Sequence, residues 1–312
     1  MRIVCMAYPV WARGDLHLNS TGNAIVLPTD EMIKLLIEAG HVVDVVNFFP
    51  DSKHKNLPLM RSGVRMKSYA EVDAAAYDLF IHMFKDPTQP EVLAILHELH
   101  IDYHGKPVLN DASRLADFTK WKYLKLLHEK GLGPAVHPEI RYQDVQWGPS
   151  TYCASISSDK KYVHSGATNN NRGDYPERRN IESIVADYID NEASGVRSFF
   201  RLGYAVGGVT SGWMYCSTAE QTVQKSGSCK HQVPLQLPHR YARQIIPAFA
   251  CLGVDYCHFE GCFKDRRMYI FDINPHPTSH GGTLSVITEE MVDRILSRYN
   301  PGQIADGPVD SQ

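Results

Sequence analysis

The chain has 312 residues, of which 43% are hydrophobic and 21% are charged, a balance typical of a globular protein with a sizeable core. Its formal net charge is -3, and there is no clustered basic stripe, so neither nucleic acid nor an acidic membrane surface is predicted as a partner. No apolar run approaches the roughly 20 residues that span a bilayer. The seven cysteines are scattered and include no Cys-x-x-Cys, which favours reduced thiols and a cytoplasmic location.

The first hundred residues alternate short apolar runs with helical patterns. The predicted strands are 3–8, 42–48, 79–83 and a short one around 108, and the predicted helices are 29–39 and 91–100. Alternation of strand and helix at these lengths is typical of a parallel α/β sheet. The sequence therefore predicts an N-terminal α/β domain.

The rest of the chain mixes helices with strand pairs around a less regular stretch. The predicted helices are 121–130, 181–189, 240–252 and 289–299. The predicted strands are a pair within 199–217, turning at the two glycines 207 and 208, and a second pair at 256–263 and 268–273. Residues 135–180 are rich in Ser, Asn and Tyr, and the end from 301 has little to bury, which indicates a frayed tail.

Acidic and amide side chains occur together on the last two predicted strands. Glu260 lies on the first strand, and Asp272 and Asn274 lie two residues apart on the second, so their side chains share a face. A hairpin brings Glu260 opposite them. These hard oxygen donors suit a Mg²⁺ ion that also holds nucleotide phosphates. The alternative is that Asp272 and Asn274 are only the polar face of an edge strand.

This segment resembles the metal-binding hairpin of ATP-grasp enzymes, in which an acidic residue precedes an acidic-x-Asn-x-x-Pro motif. Here the motif reads Glu260, Asp272, Asn274 and Pro277. The family commonly has Asp first and Glu second, so this sequence has the two exchanged. That exchange keeps the charge but shifts the metal by a methylene on each side.

The resemblance covers roughly residues 105 to 290 and implies the ATP-grasp fold, with a parallel α/β domain followed by two α+β subdomains that enclose the nucleotide. The implied boundaries are 1–105 for the N-terminal domain, 106–186 for the central subdomain with a phosphate flap, 187–300 for the C-terminal subdomain with the metal site, and 301–312 for a flexible tail.

Two lysine positions of the family are matched in order. Lys120 stands where a lysine just before a helix reaches the nucleotide phosphates, and a point charge on a long stem suits that task. Lys161 or Lys160 stands at the second position, before a flap whose backbone N–H groups would face the phosphates. Lys122 and Lys125, on the same helix as Lys120, are expected to be solvated.

The segment from Val185 to Asp190 resembles the family's interdomain hinge. The resemblance implies that Asp187 and Ile189 take the adenine edge. It also implies that an acid nearby, Asp190 or Glu192, holds the ribose. An acidic helix terminus would give the same pattern.

Further side chains are assigned to the reacting groups. Arg201 resembles the arginine that meets phosphate or acyl phosphate on the strand after the hinge, with Arg197 as the alternative. The loop that follows the metal ligands carries Ser279 and His280, which can form hydrogen bonds to a carboxylate or an amine. His258 lies two residues before Glu260 and should border the same pocket.

The resemblance implies an ATP- and Mg²⁺-dependent ligase that joins a carboxylate to an amine, or a similar nucleophile, through an acyl phosphate and releases ADP and phosphate. It implies two Mg²⁺ ions, which Mn²⁺ can replace, and small-molecule carboxylate and amine substrates. A small-molecule kinase on the same fold and a non-catalytic ATP-binding regulatory protein are the alternatives. The sequence leaves open whether the protein forms a homodimer.

Overall fold

The computed structural model describes residues 1–8, 27–47, 66–67, 72–84, 102–137, 151–155, 164–165, 183–218, 231–275 and 283–300. Within these ranges the chain forms three β-sheets and four α-helices. None of the described helices is both long and apolar enough to cross a membrane. The domain boundaries expected from the sequence stay a prediction.

The N-terminal sheet is parallel throughout, as predicted. Its strands, in the order β3-β2-β1-β4-β5 across the sheet, are β1 (Arg2–Tyr8), β2 (Val42–Asn47), β3 (Met66–Lys67), β4 (Leu79–Phe84) and β5 (Val108–Leu109). Helix α1 (Leu27–Glu38) and a 3₁₀ turn (Ala74–Ala76) accompany it. Alternate residues of β1 enter two different cores, as expected for a sheet buried on both faces. The helix predicted at 91–100 lies outside the described residues.

A small antiparallel sheet occupies the middle of the chain, after helix α2 (Lys120–Glu129). Its strands are β6 (Thr151–Ser155), β7 (His164–Ser165) and β8 (Ser183–Asp187), in the order β7-β6-β8. The helix predicted over 181–189 is therefore wrong. The segment is short and contains β-branched Ile184 and Val185, and pairing with β6 satisfies its backbone groups.

The C-terminal half is built on a larger antiparallel sheet. Its strands are β9 (Glu192–Ala193), β10 (Val196–Ala205), β11 (Gly208–Thr218), β12 (His231–Leu235), β13 (Tyr256–Lys264) and β14 (Arg267–Asn274). The order is β12-β11-β10-β13-β14, with β9 paired to β10. The two predicted strand pairs are confirmed. The prediction missed β12, whose Pro234 and polar residues hide it in the sequence, although proline is tolerated on an edge strand.

Two helices cover this sheet on opposite faces. Helix α3 (His239–Cys251) packs Ile245 and Phe249 into the core that contains Phe259 of β13. Helix α4 (Thr283–Tyr299) packs Ile287 and Met291 into a second core, which it shares with the N-terminal sheet. Helix α4 begins at Thr283 rather than at 289, because the polar and β-branched residues of its first turns conceal the helical period.

A β-bulge in β14 determines which side chains of this strand face away from the apolar core. Gly261 pairs with Ile270, but the next residue of β13, Glu260, pairs with Asp272, so Phe271 is the extra residue. Ile270 and Ile273 both lie in the core against α3, although strict alternation would put them on opposite faces. The bulge therefore turns Asp272 and Asn274 away from that core.

The bulge also brings backbone close to Gly261. A Cβ atom built there would lie 2.1 Å from the Tyr269 carbonyl oxygen and 2.5 Å from the Phe200 ring. Gly261→Ala should lower the free energy of unfolding by about 2–3 kcal/mol, as overpacking does, measured by urea denaturation. Gly105→Ala is the control: it adds about 1 kcal/mol of left-handed strain without a steric contact. Equal losses in the two variants would contradict the close approach.

Candidate functional site

A row of charged side chains crosses three neighbouring strands. Arg201 of β10 lies opposite Glu260 of β13, and Glu260 lies opposite Asp272 of β14. Lys120, the first residue of α2, closes the row, with its Nζ atom 3.1 Å from Oδ1 of Asp272. Antiparallel pairing and the bulge thus bring two carboxylates together, with one cation at each end.

The charges in this row compensate one another away from water. Arg201 donates a hydrogen bond from Nη2 to Oε1 of Glu260, and the two side chains are 15% and 14% exposed. Lys120 and Asp272 are 10% and 16% exposed. Burial lowers the pKa of Arg201, but the charges of Glu260, Tyr215 and Asp272 outweigh it, so this pKa lies above its ordinary value. The arginine is therefore a permanent cation.

Aromatic residues that the sequence reasoning missed complete the surroundings. The Tyr123 hydroxyl of α2 donates to Oδ1 of Asp272 at 3.4 Å, and the Arg201 guanidinium lies 5.9 Å from the centre of the Tyr215 ring. Trp213 of β11 extends the row opposite Arg201. Tyr123 could have been found from its spacing, because it lies one helical turn after Lys120.

The oxygen donors on the hairpin are of the chemical type that a divalent cation takes. Asn274 lies on the strand of Asp272, and His258 lies opposite it on β13, so the predicted arrangement of the hairpin is confirmed. Among the described residues no group of three or more His, Cys, Asp or Glu side chains is close enough to hold a metal ion. The two carboxylates and the Asn274 amide oxygen form a set of hard donors of the kind that suits Mg²⁺.

The lysines of α2 differ in exposure as predicted. Lys120 is mostly buried at the carboxylates, whereas Lys122 pairs with Asp117 on the surface and Lys125 is exposed. Lys120 is the first residue of the helix rather than the residue before it, because Thr119 is the N-cap and accepts from the Lys122 N–H. The other predicted residues with a role in phosphate or substrate contact lie outside the described residues: Lys160, Lys161, Ser279 and His280.

The segment predicted as a hinge covers the end of β8 and the connection from β8 to β9. Asp187, the last residue of β8, is half exposed, and its Oδ1 atom lies 2.8 Å from Nε2 of His137. Ile189 is partly buried. Asp190 and Glu192 both face the buried Arg197, at 3.3 and 3.7 Å. Arg197 thus pairs with acids in and just after the predicted hinge segment, whereas Arg201 belongs to the charged row.

Neither a protein-family model nor a curated protein sequence matches the chain, but solved structures do. It is similar to a D-alanine–D-alanine ligase from Bacillus anthracis complexed with ATP (TM-score 0.55, 14% identity, 98% of this chain and 100% of that chain). It is also similar to the ATP-grasp ligase PsnB complexed with a minimal precursor, Mg and ADP (TM-score 0.56, 13% identity, 95% and 97%). A third match is the macrocyclase MdnC from Microcystis aeruginosa MRC bound with its precursor peptide MdnA (TM-score 0.54, 12% identity, 94% and 99%). The chain therefore has the ATP-grasp fold, and the predicted fold class is confirmed.

The Arg201–Glu260 ion pair should dominate the stability of this region. Glu260→Met leaves the Arg201 charge buried without its carboxylate and should lower the free energy of unfolding by about 2–4 kcal/mol, measured by urea denaturation. The double variant Arg201→Met/Glu260→Met should recover most of the loss, since it removes both charges.

The surface pair Lys34–Glu38 supplies the matched control, because its side chains are 62% and 56% exposed. Glu38→Met should change the free energy of unfolding by less than about 0.5 kcal/mol. A loss in Glu260→Met no larger than in Glu38→Met would show that the Arg201–Glu260 pair does not hold the strands together.

Proposed function

We propose that this protein is an ATP- and Mg²⁺-dependent ligase that activates a carboxylate as an acyl phosphate and joins it to an amine or a similar nucleophile. The observation that carries the proposal is the row of Arg201, Glu260 and Asp272 on one face of the larger antiparallel sheet, closed by Lys120 of α2, in a chain with the ATP-grasp fold. Two neighbouring carboxylates with a cation at each end suit a metal-bound, negatively charged phosphate chain.

In this proposal Glu260, Asp272 and Asn274 hold Mg²⁺, two ions in number, with Mn²⁺ as a substitute. Mg²⁺, when bound, neutralises charge on the transferred phosphoryl group. Lys120 then exchanges its contact with Asp272 for the phosphates, and Arg201 stays fixed by Glu260 and stabilises charge that develops on the phosphoryl group. No side-chain nucleophile is required.

The remaining assignments place the ends of the substrates. The hinge would take the adenine edge at Asp187 and Ile189 and the ribose at Asp190, whose carboxylate Arg197 already orients. Lys161 or Lys160 would contact the phosphates, and Ser279 and His280 would contact the carboxylate or amine. Similarity to a ligase complexed with ATP and to a ligase complexed with Mg and ADP supports this choice of nucleotide and metal.

Nucleotide binding should depend on the row. Asp272→Asn removes one negative charge from the proposed metal ligands and should weaken binding of Mg²⁺·ATP at least about tenfold in calorimetry. Lys120→Met removes a charge-assisted phosphate contact worth about 1.5–3 kcal/mol, which is about ten- to hundredfold in affinity. Lys122→Met, on the solvent side of the same helix, is the control and should bind like the parent. Parental affinity in Lys120→Met would refute the phosphate assignment.

The reaction class is tested by trapping. With ATP, Mg²⁺ and a panel of carboxylates, added hydroxylamine should yield a hydroxamate and one inorganic phosphate for each one formed, because hydroxylamine displaces phosphate from an acyl phosphate. Omission of the carboxylate is the control and should leave only background phosphate. Transfer of label from γ-labelled ATP to a stable product, with no free phosphate, would instead identify a small-molecule kinase.

A further inference from the structure

Asn110 forms an unusually complete set of hydrogen bonds at the end of β5. It is fully buried and has a left-handed backbone conformation, with φ of 49°, which asparagine tolerates better than most residues. Its backbone N–H donates to Oδ2 of Asp255 at 2.6 Å. Its side-chain oxygen accepts from the N–H groups of Asp255 and Tyr256 at 2.8 and 3.2 Å. Its carboxamide is therefore held in one orientation.

The side-chain nitrogen of Asn110 connects the two strands that carry the metal ligands. Nδ2 donates one hydrogen bond to the carbonyl of Tyr256, the first residue of β13, and another to the carbonyl of Pro275, directly after β14, both at 2.8 Å. Proline has no N–H and ends the ladder of main-chain hydrogen bonds. One carboxamide thus closes the open end of the hairpin, where the ladder itself stops.

The open end is where the metal ligand Asn274 lies. Asn274 is the last residue of β14, paired with His258, and the carbonyl that Asn110 holds belongs to the next residue. On its other side, the bulge at Phe271 interrupts regular pairing. Only the short run of β14 from the bulge to Asn274 therefore fixes the direction of the Asn274 side chain. The hydrogen bond from Asn110 to Pro275 anchors the end of this run.

We propose that Asn110 is a positioning residue for Asn274, a role that rests on the proposed function of the hairpin as a metal site. Asn110 contacts neither the metal nor a substrate. It fixes the carbonyl of Pro275 relative to Tyr256, and so it holds the amide oxygen of Asn274 in the place where a cation is shared with Asp272. Groups that orient metal ligands typically change metal affinity about 10- to 100-fold when they are removed.

The test uses the full chain and Asn110→Gly, because glycine keeps the left-handed backbone and loses only the carboxamide. Two variants at the same junction are the controls. Arg114→Gln breaks the 2.6 Å ion pair to Asp255, and Tyr256→Phe removes the hydroxyl that donates to the His82 carbonyl. Neither substitution removes the hydrogen bond from Asn110 to Pro275. Mn²⁺ binding in the presence of ADP is followed by electron paramagnetic resonance, with thermal unfolding in parallel.

Asn110→Gly should raise the Mn²⁺ dissociation constant at least about tenfold, whereas Arg114→Gln and Tyr256→Phe should melt earlier but bind Mn²⁺ within about twofold of the parent. Equal Mn²⁺ affinity in Asn110→Gly and the parent would overturn the positioning role. An equal loss in Arg114→Gln would overturn it too, because general loosening of the junction would then explain the effect.

A measurement without metal or nucleotide separates this inference from the proposed function. Hydrogen exchange at the backbone N–H of Asn274 should be faster in Asn110→Gly than in the parent and unchanged in Arg114→Gln. Parental exchange at Asn274 would refute the contribution of Asn110 to the hairpin. A parent protein that binds no Mn²⁺ with ADP, yet shows this exchange difference, would refute the metal site and leave Asn110 with a structural role only.

Discussion

Two carboxylates lie opposite each other across the β13–β14 hairpin, and their mutual repulsion is the constraint around which this half of the molecule is organised. Glu260 and Asp272 are both largely removed from water, where an uncompensated charge is costly. Arg201 from the adjacent strand and Lys120 from α2 supply the compensation. The contact of Lys120 also ties helix α2 to the edge strand of the sheet, so charge balance and tertiary structure depend on the same side chains.

The two cations differ in how firmly they are held. Arg201 lies within the sheet, next to Glu260 and over the Tyr215 ring, and the surrounding strands restrict its movement. Lys120 stands at the start of a helix on a flexible four-carbon stem. If, as proposed, a nucleotide binds with a metal ion at Asp272, the metal ion would supply the positive charge that Lys120 supplies there. The lysine side chain could then turn to contact the phosphates. The arginine would keep its place throughout.

The sequence predicted most strands because β-branched and aromatic runs are plain in β1, β2, β4, β10 and β13, and it predicted the opposition of Glu260 and Asp272 because a tight turn leaves few registers. The sequence did not reveal the bulge, although it shows two apolar residues, Ile270 and Ile273, at a spacing of three that strict alternation would put on opposite faces. The sequence predicts a helix in place of strand β8, because a short apolar run fits both periods. The role of Asn110 depends on carbonyl groups more than 140 residues away in the chain, and no local pattern records them.

The bulge at Phe271 has a consequence for how this hairpin can vary in length. Residues added to or removed from the Asp265–Arg266 turn leave the register between Glu260 and Asp272 intact, because the turn lies at the opposite end of both strands. Regular pairing through Phe271, with no bulge, would instead place Phe271 opposite Glu260, send Asp272 and Asn274 into the apolar core, and expose Ile273. Related sequences are therefore free to differ at the turn, but the segment from Asp272 to Asn274 must keep a constant number of residues, because one more or one fewer would turn Asn274 to the other face.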